Sequence, residues 1–216
     1  PDGLAPPLVV KPDAEDNSRG LTIVRDAAEV SGAIAAATAF GPAIAERYVP
    51  GRELRVAVIE TEGRLHVPPL IEYPVTDAHP VRAVEDKLAL SRDGTPTAQA
   101  DRAEVQPVCP ADVAPDLAVR LADAARSAHR ALGARDYSLF DVRVDAATGT
   151  PLFLEAGLFW SFSRLSAITK MLLAEGADVP HIIGRLWRDA AGRSRDGVAR
   201  AAIPAVERRG QQGGKT

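Results

Sequence analysis

The sequence holds one cysteine, Cys109, and one methionine among 216 residues. A lone thiol excludes an internal disulfide and a cysteine-rich metal site, and it suits a reducing compartment, so a cytoplasmic protein is expected. Strong charge of either sign is also missing. The formal net charge is -3, which gives no electrostatic reason to expect nucleic acid or an anionic membrane as partner and leaves small-molecule chemistry as the better expectation. No apolar run reaches the roughly 18 residues of a membrane-spanning helix, and no charged segment precedes an apolar one at the start. There is no internal repeat. The first residue is Pro1 rather than methionine, and an apolar strand follows almost at once. The expectation is that the natural start lies upstream and that the chain is a fragment. What is present is a 46% hydrophobic complement, enough for the core of one large domain or two small lobes.

Along the chain, 7–11 (PLVVK) and 21–24 (LTIV) are short β-branched runs joined by a polar link containing Gly20, which predicts a hairpin with a long loop. The alanine-rich stretch 27–40 places Val30, Ile34 and Ala37 on one face and ends at Gly41-Pro42, as a helix packed on that hairpin should. AERYV and ELRVAVIE, separated by Pro50-Gly51, then RLHV and LIEY, predict antiparallel strands out to Tyr73. Residues 7–73 therefore read as one small α+β lobe. Periodicity fades over 74–110, a loop long enough to be functional or disordered. Val113, Leu117, Leu121, Ala124, Ala128 and Leu132 mark an amphipathic helix stopping at Gly133. Strands YSLFDVRV and PLFLE follow, with helices over 163–175 and 179–191. Residues 74–191 form the larger lobe and 192–216 a helical or disordered tail, its end RRGQQGGKT polar and glycine-rich.

The strand pair carries the chemistry. Phe140, Val142 and Val144 alternate with Asp141 and Arg143, and Leu152 and Leu154 alternate with Phe153 and Glu155, so each strand has two distinct faces. If the hairpin folds symmetrically about Thr148, Asp141 and Glu155 face each other. Two like charges about 4.5–5.5 Å apart need a cation or a proton between them. A divalent cation, Mg²⁺ or Mn²⁺, is one resolution, its shell completed by nucleotide phosphates. The other is an ion pair of Asp141 with Arg143 or Arg164, with Glu155 capping the end of its strand. A one-residue slip in register would send one side chain to the other face.

The ordered set VVKPDAEDNSRG, ERYVPGREL, VCPADV and ALGARDYSLFDVRVD...LFLEAG resembles the central and C-terminal domains of D-alanine–D-alanine ligases, members of the ATP-grasp superfamily. The likeness runs from about Leu8 to Arg188. It implies an α+β ATP-grasp fold whose two lobes clasp a nucleotide, and a reaction in which ATP turns a carboxylate into an acyl-phosphate that an amine attacks. By the resemblance, Lys11 contacts nucleotide phosphates as a point charge, and the loop 13–20, with Ser18 and Gly20, covers them. Glu46 and Val49 meet the adenine edge, Glu53 the ribose, and Tyr48 and Leu154 join the cofactor-binding set. Lys87 reaches a phosphate and, with Ser166, serves catalysis, while Asp141 and Glu155 hold the metal. Without the family, Lys11 is a solvated strand end, Glu46 and Glu53 are exposed strand charges, and Ser166 is a helix N-cap.

Departures from the family cluster at the reaction centre. Leu139 stands where the resemblance expects an arginine, Gly157 where it expects an asparagine metal ligand, and Leu88 where it expects a tyrosine. LFWSF, with Phe159, Trp160 and Phe162, replaces a polar segment and is expected to project into the substrate site. The family's N-terminal domain is absent, so that domain or a homodimer partner is expected to complete the site. Two readings follow: an ATP-dependent carboxylate–amine ligase of divergent specificity acting on amino-acid-like molecules, or a noncatalytic nucleotide-binding or interaction module with LFWSF as a contact patch.

Overall fold

The computed structural model describes residues 3–15, 18–82 and 105–197, with side chains to 193. Two sheets divide them. In the first, β1 (Leu8–Pro12) lies between β2 (Thr22–Val24) and β3 (Ala43–Arg47), antiparallel to both. Helix α1 (Val30–Thr38) covers one face. Asp26 and Glu29 form a capping box around the short 3-10 turn Ala27–Glu29 that leads into it, satisfying amides that would otherwise lack partners. Leu8, Val10 and Val24 pack on Ala33 and Ala37, with Val30 at the margin. Ile34, expected inside, is 40% exposed: the helix lies against the sheet through small side chains, which rotates the larger one outward.

The second sheet runs β5-β4-β7-β8, with β6 also pairing to β4. Its strands are β4 (Gly51–Thr61), β5 (Arg64–His66), β6 (Ile71–Tyr73), β7 (Tyr137–Asp145) and β8 (Pro151–Gly157). The change of sheet therefore falls between Arg47 and Gly51. The reason is that β4 finds its partner far along the chain: it pairs β7 from Gly51↔Asp145 to Ile59↔Tyr137, a long-range pairing that strand patterns do not announce. Gly51 permits it. With φ at +138°, it sits where an added Cβ would lie 2.0 Å from the Val144 carbonyl oxygen, a close approach open only to glycine.

Alternation gives this sheet two different faces. Leu54, Val56 and Val58 of β4 and Phe140, Val142 and Val144 of β7 pack on Leu117, Leu121 and Ala125 of α2 (Pro115–Ala131). Burial of each such large apolar side chain is worth about 1.5–3 kcal/mol. The α2 stripe keeps strict four-residue spacing through to His129, and Leu132, expected inside, is 58% exposed at the helix end. On the opposite face Ala57, Ile59, Ile71 and Tyr73 pack on Trp160 and on Ile168, Met171, Leu172, Val179 and Leu186, the last five from α3 (Ala167–Ala174) and α4 (Val179–Gly197). Only the Glu53–Arg55 end of that face escapes this apolar cover. Among the described residues no helix is long and apolar enough to cross a membrane.

Candidate functional site

The uncovered end of the sheet is built from four charges. Register places Glu53 opposite Arg143 and Arg55 opposite Asp141, and residues two apart on a strand share a face. The result is a two-by-two checkerboard of opposite signs. Arg143 Nη2 donates to Glu53 Oε2 at 3.0 Å. Arg55 Nη2 donates to Asp141 Oδ2 at 2.8 Å, and its Nε lies 2.5 Å from Oδ1 as an ion-pair contact. Arg82 ties the pairs together: its Nε donates to Glu53 Oε1 at 2.6 Å and its Nη2 lies 3.5 Å from Asp141 Oδ2. The Arg82 guanidinium also stacks 3.6 Å above the Tyr73 ring, with that of Arg55 at 5.5 Å. Glu53, Arg82, Asp141 and Arg143 are all buried. Burial alone would lower the Arg55 pKa, but the Asp141 charge, Tyr73 and the hydrogen bond to Asp141 outweigh it, so the net shift is upward.

The β7–β8 hairpin brings Glu155 to this floor. Glu155 does lie opposite Asp141, but a bulge and not a symmetric turn puts it there. Near the turn the register is Val144↔Pro151, Arg143↔Leu152 and Val142↔Phe153; past the irregularity between Asp141 and Val142 it becomes Asp141↔Glu155. Without that extra residue Asp141 would face Leu154. The bulge also explains why two consecutive residues, Leu154 and Glu155, both line the cleft, which strict alternation forbids.

The cleft between the first sheet and this floor has an empty volume of ≈ 870 Å³, counting space open to solvent. It gathers Lys11, Ser18, Glu46, Tyr48, Val49, Glu53, Asp141, Leu154 and Glu155, most of the residues singled out from sequence. Apolar walls from Val9, Leu21, Val49 and Leu154 with Tyr48 suit a planar base, and Lys11, Arg19, Arg82 and Arg143 suit phosphates. Lys11 Nζ is ion-paired with Glu46 Oε2 at 2.8 Å, so the expected phosphate cation and adenine-edge acid meet each other. Glu53 is no exposed strand charge, since arginines hold both its oxygens.

Other expected residues lie elsewhere. Gly20 packs on Phe40 and Pro12, where an added Cβ would sit 2.8 and 2.9 Å away, and it does not line the cleft. Ser166 is the N-cap of α3, accepting from Thr169 N and from Trp160 Nε1 at 2.9 Å; it too is outside the cleft lining. Trp160, expected to project into a substrate site, is 2% exposed and packs edge-on to Tyr137 with ring centres 5.6 Å apart. Its indole N–H finds Ser166 and Thr169 as acceptors, which makes an inward position tolerable. Phe162 packs on it at a tilt, and Phe159 alone of the three aromatics is exposed, at 81%. Lys87 and Leu88 lie outside the described residues.

The acid pair does not fit the expected divalent ion. Both Asp141 oxygens carry guanidinium contacts, and Gly157, at the expected third-ligand position opposite Leu139, brings no side-chain oxygen. Among the described residues no group of three or more His, Cys, Asp or Glu is placed to hold a metal. The charge neighbours expected from sequence are also exchanged: Arg143 pairs with Glu53, and Asp141 takes Arg55 and Arg82. The missed residues, Arg55, Arg82 and Tyr73, had one legible signal: alternation in ELRVAVIE puts Arg55 on the face of Glu53.

Residues 2–188 match the family described as the D-ala D-ala ligase C-terminus. A D-alanine–D-alanine ligase of Acidiphilium cryptum is 33% identical over 193 residues, 89% of this chain and 58% of the relative. An uncharacterised protein, y4sG, of Sinorhizobium fredii is 32% identical over 187 residues, 84% of this chain and 51% of the relative. The chain thus spans about half the length of the curated relatives it matches. Among solved structures, the VanG D-Ala:D-Ser ligase of Enterococcus faecalis superposes with a TM-score of 0.70 at 22% identity, covering 86% of this chain and 50% of that one. The D-alanine–D-alanine ligase of Bacillus anthracis complexed with ATP superposes with a TM-score of 0.64 at 19% identity, covering 88% and 55%. The shared fold is the α+β ATP-grasp arrangement.

Proposed function

Because the chain belongs to the D-alanine–D-alanine ligase C-terminal family, we propose that it is the nucleotide-binding part of an ATP-dependent carboxylate–amine ligase. The observation that carries this is the single cleft joining Lys11, Ser18, Tyr48, Val49 and Leu154 of the expected nucleotide set to the charged floor. ATP is the substrate that activates a carboxylate as an acyl-phosphate, and an amine then displaces the phosphate to form an amide. In this chain Tyr48, Val49 and Leu154 flank the base, while Lys11, Arg82 and Arg143 position the phosphates, a task that fixed cations perform without reorganising. The carboxylate and amine sites are completed by a domain outside this chain or by a second subunit. A divalent ion is left out of the reading, since Asp141 already holds guanidinia. The cytoplasm is proposed as the compartment, a reducing one that suits a lone thiol at Cys109.

Calorimetric titration of ATP tests the cleft. Lys11→Ala is expected to weaken binding about tenfold, the loss of one charge-assisted phosphate contact of about 1.4 kcal/mol; unchanged affinity would remove Lys11 from the site. For the reaction, the full natural protein is expected to release ADP on addition of one member of a panel of D-amino acids and related amines. Silence across the panel would favour the noncatalytic module.

A further inference from the structure

We infer that the floor of the cleft is neutralised by the protein's own guanidinia in place of a divalent cation, so that nucleotide binding here does not require Mg²⁺. The inference rests on the nucleotide reading of the cleft. Its premise is the checkerboard. The sequence calls for a cation only if Asp141 and Glu155 face each other uncompensated, and they do face each other. Compensation is already present. Arg55 spans both Asp141 oxygens, Arg82 reaches Oδ2, and Arg82 and Arg143 together hold both oxygens of Glu53. Counting Glu155, which lies opposite Asp141, the floor carries three carboxylates and three guanidinia. A dication entering here would add two charges to a balanced set and lie against Arg55 and Arg82, which would repel it. It would also have to compete for Asp141 oxygens already engaged in charge-assisted contacts.

The residues that line the cleft divide the work. Arg82 and Arg143 face the cleft and meet the ligand, while Arg55 is not part of the lining and acts from behind Asp141 as a positioning residue. Leu139 and Gly157 fit the same account. They flank the acid pair on β7 and β8, directly opposite each other, and neither side chain offers a charge or an oxygen. Space is not the obstacle at Gly157. A Cβ added there would lie 3.6 Å from the Leu139 carbonyl oxygen, an ordinary contact, so the backbone at 157 accepts a side chain.

Two measurements on the purified chain test this. In calorimetry, ATP affinity in EDTA is expected to equal or exceed that in excess Mg²⁺ to within about twofold. Tightening of about tenfold or more with Mg²⁺ would overturn the inference while leaving the nucleotide reading intact; no binding under either condition would sink that reading itself. In Mn²⁺ titration followed by electron paramagnetic resonance without nucleotide, the wild type is expected to leave Mn²⁺ free, and saturable binding abolished by Asp141→Ala would overturn the inference. Arg55→Met combined with Gly157→Asn is expected to gain Mn²⁺ binding, whereas Arg55→Lys with Gly157→Asn is not. Failure of the folded methionine double variant to gain it would show that Arg55 is not what excludes the ion. Should removal of Arg55 prevent folding, the two wild-type measurements still decide.

Discussion

Ser166 shows how one hydroxyl can be read two ways and settled by its neighbours. It caps α3 and receives the Trp160 indole N–H, and neither contact involves the cleft. Ser166→Ala is therefore expected to lower unfolding free energy by about 1–2 kcal/mol, the usual cost of losing a cap, and to leave ATP affinity unchanged. Denaturant unfolding and calorimetry on the same variant separate the roles, and a loss of ATP affinity would return Ser166 to the site. Arg55 makes a different residue-scale prediction, about pH. Its folded pKa lies above the ordinary arginine value. A group raised on folding contributes stability that is fully present below its unfolded pKa and is lost only as pH rises beyond it. For arginine that window lies far above neutrality. The stability difference between wild type and Arg55→Met should accordingly be flat from about pH 6 to about pH 9, and a slope in paired unfolding curves would mean that the decisive partner titrates there.

At the scale of elements, the strand joints carry the specificity of the fold. Gly51→Ala must place a methyl 2.0 Å from the Val144 oxygen at a positive φ. A loss of more than about 3 kcal/mol is expected, beyond the usual glycine-to-alanine range; a smaller loss in urea unfolding would mean that the start of β4 can shift away from β7. Much of this level could be read from sequence. The β1–β2 hairpin, the helix after it, the alternating faces of β4 and β7 and the acid pair all follow from period-two and period-four patterns. What could not be read were pairings between distant segments. Nothing in ELRVAVIE says that its partner is YSLFDVRV, and so nothing in the sequence connects Arg55 or Arg82 to Asp141. The acid pair emerged correctly from a symmetric turn that does not exist, because the bulge adds the one residue that the turn lacks. Inward burial of Trp160 was also hidden, since an aromatic run looks the same whether it faces a core or solvent, and only the acceptors Ser166 and Thr169 distinguish the two.

For the whole molecule, ligand and fold are linked through mass action. ATP at about 100 times its dissociation constant is expected to stabilise the chain by about 2.7 kcal/mol, visible as a rise in unfolding temperature with or without EDTA. No rise would mean that the cleft does not hold the nucleotide in the folded state. The described chain passes once between its two sheets, through Tyr48, Val49 and Pro50, and the first two of these wall the cleft. That short junction is a fulcrum as well as a wall. A torsion of one sheet against the other would turn on these three residues, two of which a bound base would touch, so occupancy is expected to stiffen the joint. A label on either side of the junction would then read binding as a change of angle, and substitutions that rigidify the joint would alter affinity without touching a ligand atom.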